Sequence, residues 1–181
     1  MSTKNDPSTP AHGSTRRQML AGALLAFGGL AASRIAGQTP PAPAATPPAE
    51  PDSLRTTIHQ EMDYAAAPKR IYEALMDSKQ FSACTGLAAE ISGDEGGAFK
   101  MFGGIIVGRN IELVPGQRIV QAWRPNYWKP GVYSLVKFEL VPKGAGTTVV
   151  LDHTGFPAGH YGTLNSGWGE RYWDPLRKFL G

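Results

Sequence analysis

A single cysteine, Cys84, in 181 residues excludes an intrachain disulfide and a zinc site built on thiolates. Histidine is scarce too, with four in the chain. His153 and His160 are separated by a Gly/Pro-containing loop, a poor metal pair without further ligands. No G-x-S-x-G, P-loop, dinucleotide fingerprint or H-E-x-x-H is present. No metal, cofactor or catalytic residue is therefore assigned. Long apolar runs are absent as well: the longest, Leu20 to Ala32, is about a dozen residues against the roughly 20 of a membrane span. Basic excess is small and badly placed for nucleic acid. Of the net charge of +3, residues 1–51 supply most, with Lys4, Arg16, Arg17 and Arg34 against Asp6 and Glu50. The pI near 9.1 owes much to this segment, and no nucleic-acid partner is expected.

What the chain does contain divides into three. Thr15-Arg16-Arg17-Gln18-Met19-Leu20 stands before the Gly/Ala-rich apolar stretch, with small residues around Ala36-Gly37. That order of paired arginines, apolar core and small-residue exit reads as a twin-arginine signal peptide over residues 1–37. It implies a periplasmic protein with no stable membrane span once the signal is cleaved. Residues 38–53 are a Pro/Ala-rich linker, QTPPAPAATPPAEPDS, which favours extended polyproline II and cannot build a core. Residues 54–181 are then one folded domain, of a size that buries most of its apolar surface.

Within that domain Ile58, Met62 and Tyr64 share one parity and predict a first strand. Pro68 suits the first turn of a helix whose apolar face is Ile71, Tyr72, Leu75 and Met76. Asp77 is placed to cap a second short helix through Phe81 to Cys84. Strand-like runs follow at Ala88–Ser92, Ala98–Phe102, Ile105–Val114, Arg118–Arg124, Tyr133–Val141 and Thr147–His153, separated by glycine turns. Short connections make antiparallel neighbours. Leu164, Trp168, Tyr172, Leu176 and Leu180 recur every four residues and predict a long C-terminal helix, kinked at Pro175. The fold class is α+β: a curved antiparallel sheet of about seven strands wrapped around that helix, which buries the concave face and the apolar stripe together.

Several words in this order carry a resemblance. They are Ala67-Pro68-Lys69-Arg70-Ile71-Tyr72-Glu73-Ala74-Leu75, Gly96-Gly97-Ala98-Phe99-Lys100-Met101, Leu113-Val114-Pro115-Gly116-Gln117-Arg118-Ile119-Val120, Trp123-Arg124, Gly146-Thr147-Thr148, Gly155-Phe156-Pro157 and Gly167-Trp168. Together the series resembles the START-like (SRPBCC, helix-grip) superfamily, and within it the C-terminal-domain type of the activators of heat-shock-protein-90 ATPase. The resemblance implies the helix-grip fold, a superfamily habit of holding apolar ligands between sheet and helix, and a family habit of contacting a protein partner.

Strand parity assigns the faces. Phe99 with Met101, Ile111 and Leu113 with Arg109, Ile119 and Trp123 with Gln121, Phe138 with Ser134, and Val149 and Leu151 with His153 are all expected inside. An apolar interior with a few polar points is the composition of a small-molecule pocket and equally of a filled core. The expected ligand-binding residues are Phe99, Met101, Ile111, Trp123, Phe138, His153, Trp168 and Tyr172. Three readings stay open. The first is a non-enzymatic binder of a hydrophobic small molecule. The second is a chaperone-like interaction module with an apolar patch at Tyr127 and Trp128. The third is an enzyme with His153 as general base.

Overall fold

The computed structural model describes residues 51–181; the expected signal peptide and all but the end of the linker lie outside the described residues. Alternating side chains of Thr57–Tyr64 form β1, with Ile58 and Tyr64 buried and His59, Glu61 and Asp63 exposed. Pro68 begins α1 (Pro68–Met76), whose buried residues include Ile71, Ala74 and Leu75. Asp77 does two tasks at one point. Its N–H closes α1 on the Glu73 carbonyl, and its carboxylate accepts from the Gln80 N–H at 2.8 Å to cap α2 (Ser78–Thr85). A cap of this kind contributes about 1 kcal/mol.

The other strands are β2 (Glu90–Ile91), β3 (Ala98–Met101), β4 (Ile106–Val114), β5 (Arg118–Pro125), β6 (Ser134–Lys143) and β7 (Gly146–Thr154). They form one antiparallel sheet in the order β1-β7-β6-β5-β4-β3-β2. The expected strand Ala88–Ser92 shrinks to two residues because α2 takes its donors. Ile91 N–H bonds Ser78 Oγ at 2.8 Å and Ala89 N–H bonds Ser82 Oγ at 2.9 Å.

One strand departs from simple parity. The β4–β5 register slips between Asn110 and Glu112, leaving Ile111 as the extra residue of a bulge. Ahead of the bulge Ile106, Gly108 and Asn110 face inward; beyond it Leu113 packs against the core. Ile111 is 53% exposed and Arg109 lies outside, donating to the Gly96 carbonyl at 2.8 Å. Both were expected inside, because parity counted back from Leu113 is inverted by one extra residue.

The C-terminal helix also differs in detail. It begins at Tyr161 as α3 (Tyr161–Trp168), widens into a π-helical turn (Gly169–Trp173) and continues as α4 (Asp174–Leu180). Asp174 N–H reaches back five residues to the Gly169 carbonyl. Pro175 has no N–H for Arg171, and the wider turn absorbs that defect without a break. The extra residue in the turn brings Trp173 inward beside Tyr172, so both are buried. Trp173 Nε1 then donates to Gln60 Oε1, while Gln60 Nε2 donates to Asn165 Oδ1 at 2.8 Å, clamping β1 to the helix.

Candidate functional site

The interior between sheet and helix is an aromatic stack. Trp168 lies parallel to Trp123 at 5.2 Å and to Trp173 at 5.8 Å, with Phe138 edge-on at 5.7 Å. Tyr172, Phe81 and Phe102 form an edge-to-face trio at 5.2–5.8 Å. Deep in this core, between Leu75, Phe81, Met101, Ile119, Gln121, Phe138 and Tyr172, no volume large enough for a water molecule remains. Phe99 is buried against Gly108, where an added Cβ would strike the Phe99 ring and the Ala122 carbonyl oxygen. Of the expected ligand residues, Phe99, Met101 and Phe138 are therefore core. Ile111 is on the outside.

Free space survives at one end. A pocket of about 210 Å³ opens between the start of β4, the end of β5 and the inner face of α3. Trp123, Trp168 and Tyr172 line it, joined by residues that strand parity did not single out: Phe102, Ile105, Ile106, Leu164 and Gly167. Phe102 is the one described non-glycine residue at positive φ, 54°, followed by Gly103 at 66° and Gly104 at 91°. This strained corner turns the Phe102 side chain under the sheet, where its ring meets Phe81 and Tyr172. A sequence signal existed in Gly103-Gly104, which reads as a turn but does not reveal a wall. A second hollow, of about 490 Å³, lies at the turn between β4 and β5 around Gln117 and Pro142; it is open to solvent and has no aromatic wall.

His153 sits behind the pocket, fully buried, and its bonds fix its state. Trp168 Nε1 approaches Nδ1 at 3.2 Å; an indole nitrogen only donates, so Nδ1 is the acceptor. The proton is therefore on Nε2, which donates to Ser134 Oγ at 2.8 Å, and Ser134 in turn donates to the Trp123 carbonyl at 3.1 Å. Burial pushes the imidazole down to about 3. A neutral ring already donating to the serine cannot take the serine's proton. The pair Ser134–His153 is wired in the wrong direction for nucleophilic catalysis. Cys84 is no better placed, since burial pushes its thiol up to about 11.

Gln121 is inside as expected and donates to Asn110 Oδ1 at 3.1 Å. Asn110, missed by parity, is fully buried and holds the Ser92 carbonyl at 2.7 Å. His59 is on the solvent side, 2.6 Å from Asp152. Trp128, expected exposed beside Tyr127, is 5% exposed and packs near the His160 ring at 5.3 Å; Tyr127 is 59% exposed. Among the described residues no three His, Cys, Asp or Glu side chains cluster as a metal site, and no helix is long and apolar enough to cross a membrane.

A curved antiparallel sheet gripping a C-terminal helix, with an apolar pocket at one end, defines a START-like, helix-grip domain. The sequence model of the family described as Activator of Hsp90 ATPase homolog 1-like protein matches residues 65–181. The chain belongs to that family. It is 29% identical over 133 residues to an activator of 90 kDa heat shock protein ATPase homolog of Dictyostelium discoideum, covering 73% of this chain and 34% of the relative. It is 26% identical over 118 residues to activator of 90 kDa heat shock protein ATPase homolog 1 of Homo sapiens, covering 65% and 35%. The chain thus spans about a third of the length of these curated relatives. Among solved structures, an HSP90 activator from Plasmodium falciparum superposes with a TM-score of 0.67 at 24% identity, covering 70% of this chain and 97% of that one. CalU16 from Micromonospora echinospora gives 0.60 at 22%, covering 69% and 76%.

Proposed function

We propose that this is an exported, non-enzymatic domain that binds a hydrophobic small molecule. The observation that carries the reading is the 210 Å³ pocket walled by Trp123, Trp168, Phe102 and Tyr172. Rigid aromatic walls with few polar points suit an apolar ligand, and the pocket exceeds the ~150 Å³ cavity that takes benzene in an engineered protein. The Arg16-Arg17 leader supports action in the periplasm. Native mass spectrometry of the mature protein from its own periplasm tests both parts. The expected result is a chain shortened near residue 37 and carrying a small extra mass that is lost on denaturation. A full-length chain retained in the cytoplasm overturns export. A bare mass that stays bare after incubation with an organic extract of the cell overturns ligand carriage.

A second reading, a chaperone-like contact, is favoured by family membership and by Tyr127 and Ile105, 59% and 41% exposed at the pocket mouth. On this reading the full chain stimulates ATP hydrolysis by a bacterial 90 kDa heat shock protein, and Tyr127→Ala removes at least half of the stimulation. An ATPase rate unchanged by excess wild-type chain sinks the idea.

A further inference from the structure

The polar groups around the pocket are few: the hydroxyls of Tyr127 and Thr163 and one charged side chain. Among the described residues no Asp or Glu lines it, and the single charged one that does is Arg171, on the π-helical turn. The other described arginines are all engaged. Arg55, Arg118 and Arg177 pair with carboxylates, while Arg70, Arg109 and Arg124 donate to side-chain or backbone oxygens. Among the described arginines Arg171 alone makes neither an ion pair nor a side-chain hydrogen bond, although Asp174 lies three positions along the same helix and pairs with Arg177. A free guanidinium at the mouth of an apolar pocket is an unused fork for an oxyanion.

An independent observation comes from the wall. Trp123 is 5% exposed, lines the pocket, and its buried indole N–H has no partner among the described residues. The neighbouring Trp168 N–H, by contrast, is satisfied by His153. Buried donors are nearly always paired, so the Trp123 N–H, with almost no exposed surface, is an unmet donor within the wall. The two unmet groups are both donors, one charged and one neutral.

We infer that the pocket selects an amphipathic carboxylate, with an apolar body of about one ring and a short chain inside and its carboxylate on Arg171. This rests on the ligand-binding reading and narrows it to a chemical class. A carboxylate pairs with the free Arg171 guanidinium; cations and bare hydrocarbons leave it unpaired.

The test uses the full chain and two probes of the same shape, 4-phenylbutyrate and 4-phenylbutan-1-ol, titrated calorimetrically. Because Arg171 is exposed, its ion pair is worth only about 1 kcal/mol, so the acid binds about fivefold more tightly than the alcohol at low salt. Added salt shrinks that preference, and Arg171→Gln removes it. Equal binding of acid and alcohol by the wild type, or a preference that survives Arg171→Gln, overturns the carboxylate inference and leaves the apolar pocket standing. Failure of both probes to bind overturns the ligand reading and the inference with it.

Discussion

Lowering the pH from about 6.5 towards 4 is expected to cost the domain about 1.4 kcal/mol of stability per pH unit, and His153 is the reason. Unfolded, this imidazole titrates at its ordinary 6.5; folded, burial holds it near 3. Between those values the unfolded chain binds a proton that the native state refuses, so the stabilisation is complete above 6.5 and drains as pH falls. Run to completion this amounts to about 5 kcal/mol, a large share of the 5–15 kcal/mol that holds a typical domain together. Other groups do not mimic the effect. The carboxyls of Asp63 and Asp152 are held low by Lys143 and by His59 with Lys137, so their stabilisation is lost only below their ordinary 3.8. His59 is raised by Asp152, so its contribution is present below 6.5 and fades as pH rises, the opposite direction, and it is fully exposed to solvent. Urea midpoints measured across this range should fall steeply for the wild type. His153→Asn keeps an acceptor for the Trp168 N–H but cannot charge, so its midpoint starts lower and stays nearly flat between 6.5 and 4. Parallel slopes in the two proteins would show that His153 is not the group titrating.

The same histidine shows what sequence could and could not reveal. Alternation along Thr147–His153 places it inside with Val149 and Leu151, and the structure agrees. Its role depends on Trp168 and Ser134, 15 and 19 residues away, and on which nitrogen faces each. No spacing rule contains that. The architecture was legible because it is written locally: Pro68 at a helix start, Asp77 at a cap, glycine turns between alternating runs, a four-residue apolar stripe. Errors fell where one residue is added. The bulge at Ile111 reverses the faces ahead of it, and the π-helical turn before Pro175 carries Trp173 inward. Both are backbone responses to tertiary context, invisible to a fixed period of 2 or 3.6. The pocket was legible in part, through Trp123, Trp168 and Tyr172, and the rest of it escaped for a different reason. Packing density decides whether an apolar interior is open or closed, and the residues that line it come from a strained corner, two strand ends and the inner face of the C-terminal helix.

Filling the pocket should abolish binding without harming the fold, and Gly167 is the position that separates the two. It lies on α3, lines the pocket, and an added Cβ meets no atom within 4 Å. Its φ is not in the left-handed region, so a larger residue suits the backbone. Gly108 is the contrast. It too is a glycine near the aromatic core, but an added Cβ there collides with a backbone carbonyl, and Gly108→Ala has no room. Replacing a helix-interior glycine by leucine gains up to about 1 kcal/mol of helix propensity, or roughly 4 °C in Tm. The leucine side chain then occupies the space beside Trp123 and Trp168 that a ligand needs. Gly167→Leu is therefore expected to hold or raise Tm and to weaken phenylbutyrate binding by about tenfold or more. Gly162→Ala, on an exposed position of the same helix outside the pocket, supplies the propensity gain alone and should bind as the wild type does. Unchanged affinity in Gly167→Leu would move the binding site elsewhere. A fall in Tm would mean that the space is needed by the fold, and the pocket would then be slack in the packing of α3 rather than a site.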